Sequence, residues 1–170
     1  MKKITFQLIF LFLLLISLQV CFFDNIHLFE YATPLLYIYF LIKLPISMNR
    51  NVVMLLGALL GFVIDVFNST LGLCMTVLVI VSFLRHYLLK LFAPRDVFDD
   101  YIPSFSTFGK YFFMRYAGVV TLIHIFLLYT IESFSLFNPF VLFLRIASSF
   151  TLTFLLIFAF ESLNFDVFKR

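Results

Sequence analysis

An all-α integral membrane protein, a compact bundle of six transmembrane helices, is the fold class this sequence predicts, and three observations predict it. Of its 170 residues, 64% are hydrophobic and 12% charged, with a mean hydropathy of +1.12; soluble domains are roughly 45–50% apolar and about 25% charged. A 20.0 kDa chain has too small an interior to hide that much apolar surface, because small domains bury the smallest share of their area. The 12 basic residues lie mainly in alternate links between apolar runs, the pattern that orients a multi-pass protein.

The apolar segments run 4–23, 31–46, 52–67, 71–84, 111–131 and 139–160, in a single domain covering 1–170. A spanning helix needs about 20 residues, range roughly 17–25. The first segment opens on "MKKITFQLIFLFLLLISLQVC", which has the lysines and apolar stretch of a secretory signal. Leu18, Gln19, Val20 and Cys21 lack the small residues that cleavage requires, so a retained first helix is expected. The second, third and fourth segments are short. The fourth gains length through "RHYLLKLF", where Arg85 and Lys90 can snorkel to the interface. Helix starts are expected at Thr33–Pro34, Asn51, Thr70 and Asn138–Pro139, where a cap residue or a proline at the first helical position stands.

The basic residues then fix an orientation. Lys2 and Lys3 precede the first segment, and Lys43 and Arg50 flank the link between the second and third. Arg85, Lys90, Arg95, Lys110 and Arg115 surround the link between the fourth and fifth, and Lys169 and Arg170 end the chain. The links 24–30, 68–70 and 132–138 carry none. Under the positive-inside rule both termini are cytoplasmic. Only Arg145 breaks this pattern, because it lies within a span. In the cytoplasmic link, "YIPSFSTFGKYFF" spaces Phe105, Phe108 and Phe112 as a helix would, which suits a segment lying in the membrane interface or a loop with greasy anchors.

Catalytic chemistry finds little support. Cys21 and Cys74 sit in apolar runs and read as small buried hydrophobes, implying neither a disulfide framework nor a metal site. HExxH, GxxxxGK[ST] and GxSxG patterns are missing. Asp96, Asp99 and Asp100 of "DVFDD" share one loop with Arg95, and a metal site needs oxygens converging from several elements, so a solvated charge cluster is expected. Glu161 and Asp166 read as an ordinary interfacial helix end. No catalytic, cofactor-binding or metal-binding residue is assigned, and no nucleic-acid partner.

Two constellations carry more information. Gly57, Gly61 and Asp65 fall at i, i+4 and i+8, so a helix would place them on one face. That face reads as a helix-packing or partner surface, small-xxx-small in pattern, with a polar lock at its outer end. Asp65, His124 and Arg145 lie at comparable depth in the outer half of the bilayer, where an isolated charge costs a few kcal/mol. Asp65 stands near a helix C-terminus and Arg145 near a helix N-terminus, so neither is favoured by its own helix dipole. Either the two pair, with His124 as a hydrogen-bonding neighbour, or Asp65 meets water and Arg145 snorkels.

The runs "LLGALLGFVIDVFNSTLGL" (55–73), "LRHYLLKLFAPRD" (84–96) and "PLLYIYFLIKLP" (34–45) resemble MreD, the rod shape-determining membrane protein family, especially its Bacteroidetes-like members. The residues matching the recurring motif are Gly57, Gly61, Asp65 and Gly72. The resemblance implies a non-enzymatic scaffold of the bacterial inner membrane, acting in cell-wall elongation and peptidoglycan synthesis. It implies an MreC-like single-span periplasmic partner and, through it, MreB, RodA and a class B penicillin-binding protein. It also implies a fold like the six-helix substrate-binding subunits of vitamin transporters, and no cofactor. The alternative is a small-molecule transport subunit of that vitamin-carrier kind, whose pocket would draw on Thr76, Ser82, His124, Ser148, Ser149 and Thr151. An intramembrane enzyme lacks a constellation.

Overall fold

The computed structural model describes residues 2–23, 33–70, 72–92, 102–133 and 139–163. All regular structure among them is helical: α1 (Lys2–Leu18) continued by a wider π-helical turn (Gln19–Phe23), α2 (Ile38–Ile42), α3 (Arg50–Asn68), α4 (Leu73–Phe92), α5 (Phe105–Phe108), α6 (Lys110–Glu132) and α7 (Pro139–Leu163). Four of these, α3, α4, α6 and α7, are long and apolar enough to cross a membrane, and the apolar stretch of α1 with its π-helical turn, Phe6–Cys21, is shorter. The chain is therefore a multi-pass membrane protein. The links 24–30 and 93–101, with Asp96, Asp99 and Asp100, and the last residues 164–170 lie outside the described residues.

A hairpin of α3 and α4 anchors the bundle. Its turn works because Ser69 (φ 55°) and Gly72 (φ 73°) both take the left-handed backbone that reverses the chain. Thr70 N–H closes onto the Asp65 carbonyl at 3.0 Å. Gly57 and Gly61 face α4 rather than a partner. A Cβ on Gly61 would stand 2.4 Å from the Met75 Cα, and one on Gly57 would stand 2.3 Å from Ser82 Oγ. Helix α4 runs to Phe92, through the "RHYLLKLF" extension expected beyond 84. Arg85 does not stop it, because its charge turns inward to partners described below.

The second segment departs most from expectation. It is not a helix over 31–46: helical geometry is confined to α2, five residues or roughly 7.5 Å of axis. Pro34 and Pro45 bracket it, and every residue from 35 to 44 is buried. No helix starts at Thr33–Pro34, because the amides of Leu35 and Leu36 bond to side chains instead.

The partners of this segment trace its path. Thr33 meets Ser149 and Tyr129, Leu35 meets Thr153, Tyr37 meets His124, and Lys43 meets Glu161. From Ser149 to Glu161 is 12 residues of α7, roughly 18 Å of helix axis. Residues 33–44 thus traverse the bundle centre parallel to α7 and antiparallel to α6. Gln19, at the far end of α1, reaches the start of the traverse. The start of α1 and the end of α7 consequently lie at the same end of the bundle, opposite the α3–α4 turn.

Helix α5 plugs that opposite end. Ser104 and Thr107 form a reciprocal capping box around it. Phe105 and Phe108 are buried rather than laid in an interface, with Phe105 against Phe113 (5.3 Å) and Phe108 against Tyr116 (6.2 Å). Phe112 is exposed.

Candidate functional site

Irregular backbone inside a membrane must have its N–H and C=O groups satisfied by protein or water. In this chain side chains of the π-helical turn, α4 and α7 satisfy backbone groups of the traverse, and its contacts form three tiers.

At the tier where the traverse begins, the Gln19 amide clamps the chain: its Nε2 donates to Pro34 O and its Oε1 accepts from Leu36 N–H, both at 3.0 Å. Thr153 Oγ1 accepts from Leu35 N–H at 3.0 Å, and Ser149 Oγ accepts from Thr33 N–H at 3.2 Å. Tyr129 OH lies 2.8 Å from Ser149 Oγ and also meets the Thr33 hydroxyl.

In the middle tier the Tyr37 hydroxyl sits 2.9 Å from His124 Nε2, the two rings meeting edge to face at 5.2 Å. It also reaches Cys74 Sγ at 3.9 Å. Asp65 lies just beyond. Its carboxylate accepts from Cys74 N–H (2.9 Å) and Met75 N–H (2.8 Å), and from the Thr70 hydroxyl. These amides are orphan donors in the first turn of α4, so Asp65 caps the next helix, where its charge meets the favourable end of that helix's dipole.

Neither alternative holds for Asp65: it does not pair with Arg145, and it is buried rather than meeting water. Arg145 instead lies 3.9 Å from Glu132, with both side chains more than a third exposed, a geometry worth little. His124 belongs to Tyr37. Asp65 touches it only indirectly, through Cys74 and Tyr37.

The third tier is charged. Lys43 Nζ bonds both Glu161 oxygens, at 2.9 and 2.7 Å, with each side chain 2% exposed. Glu161 also accepts from Tyr39 OH at 2.7 Å and from the Phe105 amide at 3.0 Å. One carboxylate therefore joins α7, the traverse and the α5 plug. Lys43 further lies 5.5 Å from the Phe113 ring centre, a cation–π contact. Arg85 Nε donates to Leu41 O at 2.9 Å, and its Nη2 donates to Leu44 O. A cation here meets the free carbonyls that end α2.

Sequence reasoning missed this tier: Glu161 reads as an ordinary helix end, yet it is 1% exposed. The signal was present in "YIYFLIK", two tyrosines and a lysine in the ten-residue stretch between Pro34 and Pro45. Among the residues considered for a transport pocket, Thr76, Ser148 and Thr151 bond the carbonyl four residues back on their own helices. Ser82 lies against Gly57, and Ser149 holds the traverse. Cys21 is exposed and Cys74 buried. Among the described residues no cluster of three His, Cys, Asp or Glu side chains has metal-binding geometry. Compared with known proteins, the chain matches no family model, no curated protein and no solved structure.

Proposed function

We propose that this chain is a non-enzymatic scaffold of the bacterial inner membrane, similar to MreD, that binds an MreC-like single-span partner and so helps direct peptidoglycan synthesis during cell elongation. MreB, RodA and a class B penicillin-binding protein act through that partner. The chain makes six passes with both termini in the cytoplasm, the traverse counting as the second pass. In support of this orientation, Lys43, Arg50, Arg85, Lys90, Lys110 and Arg115 all belong to the Glu161 end of the bundle, which the positive-inside rule assigns to the cytoplasm.

The observation that carries the reading is where the interior polar groups point. Gln19, Arg85, Ser149, Thr153 and Glu161 are turned onto the backbone and side chains of the chain's own central traverse. They build a rigid interior, and partners are left the apolar outer faces, such as Leu55, Leu59, Phe62 and Val66 of α3.

A vitamin-type binding subunit is the second reading, favoured by one feature: broken helices at membrane depth commonly border a carrier's substrate site. Purification in gentle detergent of the tagged protein from its native membrane separates the two. Co-purification of a single-span periplasmic protein with wall synthases supports the scaffold. Recovery with ATPase subunits and a coupling membrane protein overturns it in favour of transport.

A further inference from the structure

Arg50 opens α3 with its guanidinium carbon 3.4 Å above the centre of the Phe83 ring and 5.5 Å from that of Tyr87. Phe83, Tyr87 and Lys90 fall at i, i+4 and i+7 on α4, one exposed stripe. The Gly57 and Gly61 contacts draw α3 and α4 close, so Arg50 lies level with His86 and Tyr87 and one turn from Lys90. No carboxylate neutralises Arg50 or Lys90 among the described residues; the salt bridges there are Lys43–Glu161 and Arg145–Glu132.

The stacking holds one cation in a fixed pose that it would otherwise lose to side-chain entropy. Next to it, Tyr87 brings a hydroxyl at the level where amphipathic aromatic rings meet lipid headgroups. Towards the bilayer interior the same two helices expose Val52, Leu55 and Leu59 on α3, and Ile80 and Phe83 on α4, a surface suited to acyl chains. Two positive charges above an apolar seam call for a ligand with an anionic head and a greasy tail.

We propose that the Arg50–Tyr87–Lys90 corner of the α3–α4 hairpin binds the phosphate of an anionic phospholipid from the leaflet at the Glu161 end. Each basic group near such a headgroup is worth about a fivefold change in affinity.

Native mass spectrometry of the full-length protein, titrated with phosphatidylglycerol or with zwitterionic phosphatidylcholine, tests this. The unaltered protein is expected to retain phosphatidylglycerol preferentially, and Arg50→Gln to bind it about fivefold more weakly. Arg145→Gln, at the other end, should leave binding unchanged. Arg50→Lys, which keeps the charge but cannot stack as a planar group, should fall between. Equal retention of the two lipids, or full retention by Arg50→Gln, overturns the site. Should Arg50→Gln fail to fold, Lys90→Gln decides: its position is exposed and has no hydrogen bond or ion pair among the described residues, and undiminished phosphatidylglycerol binding there overturns the proposal equally.

Discussion

Asp65 reads from sequence as an acid in search of a distant base, and finds instead the amides of a helix that begins eight residues later. The error is physical. A carboxylate near a helix C-terminus is disfavoured by its own dipole, but a tight turn brings the next helix's N-terminus within reach, and that local partner wins over Arg145. Asp65→Ala should therefore lower stability by about 1–3 kcal/mol, the range for leaving buried donors unmet. Arg145→Gln should cost less than about 0.5 kcal/mol. Denaturant titration in detergent measures both, and the exchange Asp65→Arg with Arg145→Asp should rescue nothing. A second contrast involves two buried threonines. Thr153 holds the Leu35 amide, so Thr153→Val should destabilise by about 1–3 kcal/mol. The buried Thr121 hydroxyl has no hydrogen-bond partner among the described residues, so Thr121→Val should leave the midpoint unchanged or raise it. A loss at Thr121 equal to that at Thr153 would contradict this account.

Among the elements, the long helices were legible and the traverse was not. Hydropathy distinguishes apolar from polar but not lipid-facing from core-facing, and residues 35–44 are apolar because they are buried in protein. Their two bracketing prolines and their tyrosines were the signs of a segment that needs side-chain help. The α3–α4 glycines were legible as a packing face, although not the helix they pack against. Their contacts differ in kind, and this yields a prediction. At Gly57 the nearest obstacle is the Ser82 hydroxyl, whereas at Gly61 it is the Met75 backbone. Gly57→Ala should be destabilising and partly rescued by Ser82→Ala. Gly61→Ala should be more destabilising, and trimming the Met75 side chain should not rescue it, since the Met75 backbone remains. Thermal unfolding of the four single and double variants is the measurement.

At the scale of the whole molecule, charge and topology meet. The described basic residues apart from Arg145 belong to the Glu161 end, and the alternating directions of α3, α4, α6 and α7 put the 69–72 turn at the other. In a Cys21→Ala, Cys74→Ala background, an impermeant maleimide should label Ser69→Cys on spheroplasts, and Lys110→Cys only after lysis. Labelling of both from one side would contradict the bundle itself, and the reverse pattern would invert its orientation. The traverse also imposes an order in time. Leu35 emerges from the ribosome 118 residues before Thr153, its partner, which at about 5–20 residues per second is a wait of roughly 6–24 s. Until α4 and α7 arrive, the traverse holds backbone groups that lipid cannot satisfy, so it must shelter elsewhere while those helices are made. The centre of this molecule is translated early and can be completed only once α7 has followed it.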